Sequence, residues 1–299
     1  MITVRRAVGQ DVEVALRLLL QHVSDDEREE QLRTALGSAG RGELVLDDLL
    51  LAHHGHRAVG AMLTIVQPGA TASIWPPETE NNADDVADAL TQAAISHLAA
   101  AEVVIIQSIL EHDDRDGAAI LARKGVKYWT DVVFMGRALD HPWPPDAHPP
   151  LEFVGYDEAT HKRFVSLLEQ SYQATLDCPE LDGVRSPEQA LAAHRASGEF
   201  SPAFWRLYRI DGVDAGILLL SPHPDQRAWE LVYMGVASGF RGKGLGRQML
   251  TNALPQLPRT DGEMVFLAVD RRNRYARETY TRLGFSEVAT RALHLLLRR

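Results

Sequence analysis

The sequence is short of several things. It has one cysteine, Cys178, in 299 residues. That excludes an intrachain disulfide and a thiolate zinc cluster. It has no long apolar run: AAISHLAAAEVVII (residues 93–106) is too short and too interrupted to span a bilayer. MITVRRAVGQDVEV lacks the apolar core of a signal peptide, so a soluble, cytoplasmic setting with no membrane partner is expected. Basic excess is absent too. The net charge is −10, whereas a nucleic-acid role needs a basic surface. AHHGH (residues 52–56) lacks metal-ligand spacing and reads as a hairpin turn, and no metal is expected. What remains, 45% hydrophobic and 24% charged, is ordinary globular composition in a length that suits two domains.

LDHPWPPDAHPP (residues 139–150) carries five prolines, too many for a helix or a central strand. The expected division is therefore domain 1–139, linker 140–150 with Trp143 as an anchor, and domain 151–299. The two halves look alike. Each opens with a strand and helix, ITVRRAVGQDVEVALRLLLQ and LEFVGYDEATHKRFVSLLEQ. Each continues with a hairpin around glycine, LLLAHHGHRAVGAMLTIV and WRLYRIDGVDAGILLL. Each ends on a strand, a helix closed by Gly125 or Gly284, and a last strand. Duplicated α/β or α+β domains follow, with sheets of mixed direction.

The halves differ in the middle. The second has ELVYMGVASGFRGKGLGRQML, the first ASIWPPETENNADDVADALTQAAISHL, where Asn82 or Asp84 is expected to cap the helix. ELVYMGV has the density of β-branched and aromatic residues of a central strand. Leu245, Met249 and Ala253 then recur at helical spacing until Pro255. Gly242, Gly244 and Gly246 thus sit between a strand and a helix N-terminus, beside Arg241, Lys243 and Arg247. Such an end offers unpaired N–H groups to an anion. A P-loop is excluded, because Gly244 follows Lys243 and Ala237 holds its first glycine's place. The dinucleotide fingerprint is excluded by Arg247. R-x-x-G-x-G remains, read as a pyrophosphate cradle, with a tight ligand-free turn as the plainer alternative.

This segment resembles the acetyl-CoA motif of the GNAT N-acetyltransferase superfamily, in which a strand ending in Val is followed by Q/R-x-x-G-x-G/A. A second segment agrees: LAVDRRNRYARETYTRLGF, with Asn273 after the strand and Tyr280, Gly284 and Phe285 closing the helix. The resemblance covers residues 151–299, and the first half resembles a degenerate copy. It implies two tandem domains, each a mixed, mostly antiparallel sheet flanked by helices, with the chemistry in the second. It also implies acetyl-CoA as cosubstrate and a small-molecule primary amine as acceptor. The cofactor-binding positions carried over are Met234, Gly235, Val236, Arg241, Gly242, Lys243, Gly244, Leu245, Gly246, Arg247 and Asn273.

Acetyl transfer needs a neutral amine, help for the oxyanion, and a proton for the thiolate. The resemblance implies Glu230 as the general base through water and Tyr280 as the acid. Ala276, Tyr280 and Leu283 share a helical face, so the phenol is expected to point inward. Met234 or Gly235 N–H is expected to polarise the thioester, with a bulge at Gly235. Arg271, Arg272, Arg274 and Arg277 read as a solvated basic face, of which one member could meet the CoA 3′-phosphate. Tyr275 lies off the inward face. In SYQATLDCPELDGVRSPEQAL (residues 171–191), Asp177, Glu180 and Asp182 suit a cationic amine, and Cys178 reads as a passive thiol. The competing reading is a non-catalytic acyl-CoA-binding regulatory module.

Overall fold

A computed structural model describes residues 1–41, 45–144 and 151–298. The chain forms two compact units, Met1–Trp129 with Ala292–Arg299, and Thr130–Arg291. In chain order the first unit contains β1 (Ile2–Arg6), α1 (Gln10–Leu19), α2 (Asp25–Gly40), β2 (Leu49–His54), β3 (Arg57–Gln67), β4 (Thr71–Ile74), β5 (Glu78–Thr79), α3 (Asp84–Ala100), β6 (Ile105–Leu110) and α4 (Arg115–Arg123). β7 (Lys127–Ala138) crosses the divide. The second unit continues with β8 (Glu152–Gly155), α5 (His161–Tyr172), α6 (Pro187–Arg195), β9 (Trp205–Ile210), β10 (Val213–His223), β11 (Ala228–Val236), α7 (Leu245–Ala253), β12 (Met264–Asp270) and α8 (Arg274–Arg282). β13 (Ser286–Leu297) crosses the divide again.

Each unit holds the mixed, mostly antiparallel sheet that was expected. In the first, β1, β2, β3 and β4 run antiparallel in order, and β4 pairs with β6 in parallel. In the second, β8, β9, β10 and β11 run antiparallel, and β11 pairs with β12 in parallel. The last strand of each sheet comes from an unexpected place. Ala292–Leu297 of β13 lie antiparallel to β6, while Val132–Ala138 of β7 lie antiparallel to β12. Strand pairing is made by backbone groups that every sequence carries, so an apolar strand does not announce its neighbour.

Period-two alternation splits the second unit's core between two faces. Leu218 and Leu220 pack with Trp229, Met249 and Tyr280. Ile217 and Leu219 pack with Phe164, Leu168 and Trp205. Burying one such leucine contributes about 2 kcal/mol. α7 starts at Leu245 and gives way to a single 3-10 turn containing Pro255. α3 corrects the capping expectation. Ala83 holds its N-cap without a side-chain bond, and Asp84 is the first helical residue, paired with Arg123. Asn82 sits instead in a short turn with a left-handed backbone. Of the proline-rich segment, residues 145–150 lie outside the described ones. Trp143 does act as an anchor: the Arg137 guanidinium lies 3.3 Å from its ring centroid and donates to the His141 and Pro142 carbonyls. Among the described residues, no helix is long and apolar enough to cross a membrane.

The pairing of β13 with β6 generates a prediction. Leu295 is 2% exposed, so Leu295→Ala costs about 2–5 kcal/mol. Hydrogen exchange at Ile105–Leu110 should speed up, although the change lies nearly 190 residues away. Unchanged protection of β6 counts against the pairing.

Candidate active site

β11 and β12 are paired only from Ala228–Met264 to Glu230–Phe266. Beyond that register they have no further partners in each other, while β10 holds the far edge of β11 through Val236. Leu219 faces Tyr233 and Leu220 faces Leu231, so Val232 is the extra residue of a bulge. A bulge bends its strand and sharpens the twist, here where the strands part. This corrects the expected position. Gly235 pairs regularly with Ile217 and is glycine for another reason: a Cβ there would lie 2.5 Å from Ser171 Oγ and 2.8 Å from Tyr233 Oη.

The parted strands open onto a cleft of about 750 Å³. Met234, Gly235 and Val236 line one side, Leu267, Ala268 and Val269 the other. The glycine loop closes one end. Gly242 and Gly244 take φ of +73° and +78°, a region that residues with a Cβ adopt at a cost of about 1–2 kcal/mol. The resulting turn leaves the N–H groups of Gly242, Lys243, Gly244, Leu245, Gly246 and Arg247 without an acceptor among the described residues. Arg247 reaches the cleft and has no side-chain partner among them either. Backbone and charge therefore fit a diphosphate.

The other two cations of the loop are committed elsewhere. Arg241 donates from Nε to Val236 O (2.9 Å), from Nη1 to Gln173 O (2.7 Å) and from Nη2 to Ser171 O (2.8 Å). Its side chain ties the end of β11 to the end of α5, and its backbone N–H donates to Ser238 O at 3.3 Å. Lys243 Nζ donates to Gly239 O and lies over the Phe240 ring. The basic cluster at Arg271–Arg277 is exposed at Arg271, Arg272 and Arg274, as a solvated face would be, but its charges are engaged. Arg271 pairs with Asp131, Arg272 with Asp270 and Glu180, and Arg277 with Glu287, while Arg274 stacks on the exposed Tyr275.

Tyr280 is 6% exposed and lies in the cleft wall, and its hydroxyl has no hydrogen-bond partner among the described residues. Burial, helped by the Asp177 charge, raises its phenol well above the ordinary value. Asn273 caps α8, its Oδ1 accepting from Ala276 N at 3.3 Å, and also lines the cleft. Glu230 is not in the cleft wall. Trp229 and Leu231 point toward α7, so Glu230 points to the α5–α6 face. There its Oε2 accepts from Ser197 Oγ (2.6 Å) and lies 2.8 Å from His223 Nε2. The structure thus gathers Tyr280, Asn273, Arg247 and the glycine loop, and sets Glu230 apart from them.

On the same face lies a polar cluster that sequence reasoning missed. Tyr233 Oη and Ser171 Oγ are 2.8 Å apart, and Tyr172 Oη lies 2.9 Å from His194 Nε2. The His194 ring stacks on Tyr233 with centroids 4.9 Å apart. Burial, and then the Arg185 charge, push His194 down to about 3, while burial pushes Tyr172 up to about 12. These residues come from α5, α6 and β11, and no linear spacing joins them. Cys178 matches the passive reading, because burial raises its thiol far above the ordinary range.

The model of the acetyltransferase (GNAT) family matches residues 167–285, which lie in the second unit. The chain is 27% identical over 284 residues to the mycothiol acetyltransferase of Beutenbergia cavernae, covering 88% of this chain and 91% of that protein. A GCN5-related N-acetyltransferase from Sphaerobacter thermophilus superposes with a TM-score of 0.61 at 19% identity, covering 99% of this chain and 95% of the other. A tandem GNAT protein from the clavulanic acid biosynthesis pathway superposes with a TM-score of 0.53 at 14% identity, covering 99% and 98%. These two share its fold.

His194 sets a pH dependence. Its imidazole is neutral in the fold down to about 3, whereas in the unfolded chain it protonates near 6.5. Unfolding therefore takes up a proton in that window, and stability falls as pH falls from about 6.5. His194→Gln should lower Tm at pH 7 yet flatten its decline toward pH 4.5. Parallel Tm curves for the two proteins would exclude His194 as the source.

Proposed function

We propose that the second unit moves an acetyl group from acetyl-CoA to a primary amine of a small molecule, by direct attack in a ternary complex. One observation carries this reading: the unpartnered N–H groups of Gly242–Arg247 stand at a cleft whose wall holds the unpartnered Tyr280 hydroxyl. The diphosphate binds the Gly242–Arg247 backbone and the Arg247 guanidinium. The amide-rich arm lies along the edge of Met234, Gly235 and Val236, with Asn273 beside it.

In the reaction, the amine nitrogen attacks the thioester carbon. A carbon–nitrogen bond forms, the oxyanion is held by the Met234 or Gly235 N–H, and the carbon–sulfur bond breaks. Tyr280 protonates the departing thiolate. Phenol and thiol pKa values of about 10 and about 8.5 make this transfer feasible, and burial keeps the phenol protonated until it is needed. Glu230 receives the amine's proton through intervening water. Ser197 and His223 hold its carboxylate in place.

Thiol release from acetyl-CoA with a panel of primary amines tests the reading, and the acceptor of the mycothiol acetyltransferase relative belongs in that panel. Tyr280→Phe should lower kcat about a hundredfold with CoA affinity unchanged. A full-rate Tyr280→Phe enzyme would remove Tyr280 from the acid role and favour another donor. Gly244→Val forces a β-branched residue to φ near +78°, and should abolish CoA binding. Undiminished affinity rules out the loop as the diphosphate site.

A further inference from the structure

The segment between α5 and α6 carries three carboxylates that suited a cationic amine by sequence, and the structure treats them differently. Glu180 is taken up by Arg272, which donates to both its oxygens at 2.5 and 2.8 Å. Asp182 is exposed and stands outside the cleft wall. Asp177 lies in the wall itself. Its Oδ1 accepts the Asp270 N–H at 2.8 Å, and its other oxygen has no protein partner among the described residues.

That position is built rather than incidental. Asp270 ends β12, and its fully buried carboxylate accepts from Cys178 N (3.1 Å), Thr130 Oγ1 (2.8 Å) and the Arg272 guanidinium. Asp177 and Cys178 are therefore clamped from both sides of one residue, and a loop side chain gains the placement of a strand. Burial alone would raise the Asp270 carboxyl. The bonds from Arg272, Thr130 and Cys178 outweigh it, so Asp270 stays ionised and Arg272 is spent on Asp270 and Glu180. Asp177 is left with no salt-bridge partner. It is open to the cleft, but protein crowds it on its other sides. That crowding and the neighbouring Asp270 charge raise its pKa, the mark of an anion lacking a counter-charge. A cationic group arriving in the cleft supplies one.

We propose that Asp177 is the receptor for the acceptor's ammonium group, holding it in the cleft that the Tyr280 hydroxyl also faces. This rests on the acetyl-transfer reading of the cleft. It separates recognition of the acceptor's charge, at the end of β12, from proton removal at Glu230 on the other side of β11. It also gives the Asp270–Arg272–Glu180 chain a purpose, namely to fix the receptor and keep Arg272 from neutralising it.

The test is calorimetric binding to the full chain saturated with CoA. Tyramine and glucosamine serve as ammonium probes, tyrosol and glucose as their neutral counterparts. The wild type should prefer the ammonium member of a pair. Asp177→Asn should weaken that member about tenfold or more, leave the neutral member and CoA unchanged, and so erase the preference. Asp177→Glu should retain it, and Asp182→Asn should behave as wild type. An ammonium preference that survives Asp177→Asn overturns the proposal, and so does a CoA-loaded wild type that binds neither ammonium probe. If the wild type fails to bind CoA, the acetyl-transfer reading itself fails.

Discussion

The second unit is organised by the point at which β11 leaves β12. Three residue pairs hold the two strands together, and after Glu230 and Phe266 the ladder stops. A parallel pair broken in mid-sheet leaves backbone donors and acceptors on two facing edges, a costly arrangement unless something else bonds to them. The bulge at Val232 bends β11 away at this place, and the core on either side still fills by alternation. The cleft, the position of the glycine loop and the inward turn of Tyr280 all follow from that divergence.

Around the divergence, polar side chains are used as fasteners. Arg241 binds three backbone carbonyls of the α5 end besides Val236 O, and so joins the loop after β11 to the segment that follows α5. Asp270 does the same from β12, through Cys178 and Arg272. Both fasteners act on the segment between α5 and α6. Hydrogen bonds that involve a charged partner are the stronger kind, which suits the task of fixing a long irregular segment. At the equivalent helix of the first unit, Ala83 holds the N-cap without a side-chain bond, and Asp84 and Asp88 in its N-terminal half are paired with Arg123.

Much of the site was legible in the linear order. The glycine loop is local, because strand, turn and helix start lie within a dozen residues and each has its own signature. The inward face of α8 is likewise a matter of spacing, and Tyr280 lies on it. Other assignments needed neighbours that spacing cannot supply. Arg241 reads as an anion ligand in the linear motif, but its guanidinium is spent on backbone carbonyls. The basic cluster at Arg271–Arg277 reads as a solvated face and is largely exposed, but its ion-pair partners Asp131, Glu180 and Glu287 come from other parts of the chain.

The linear order carries the likeness of the two halves, the order of elements in each, and a glycine loop that stands at a helix start in the second half and has no counterpart in the sequence of the first. These depend on backbone conformation and on hydrophobic period, both local properties. Only the tertiary structure decided that Ala292–Leu297 complete the first sheet and Val132–Ala138 the second, because strand pairing uses backbone groups common to all residues. It also decided which acidic residue of the α5–α6 segment faces the cleft. Asp177, Glu180 and Asp182 are chemically near-equal in the chain; Arg272 occupies Glu180, Asp270 orients Asp177, and Asp182 is left to solvent.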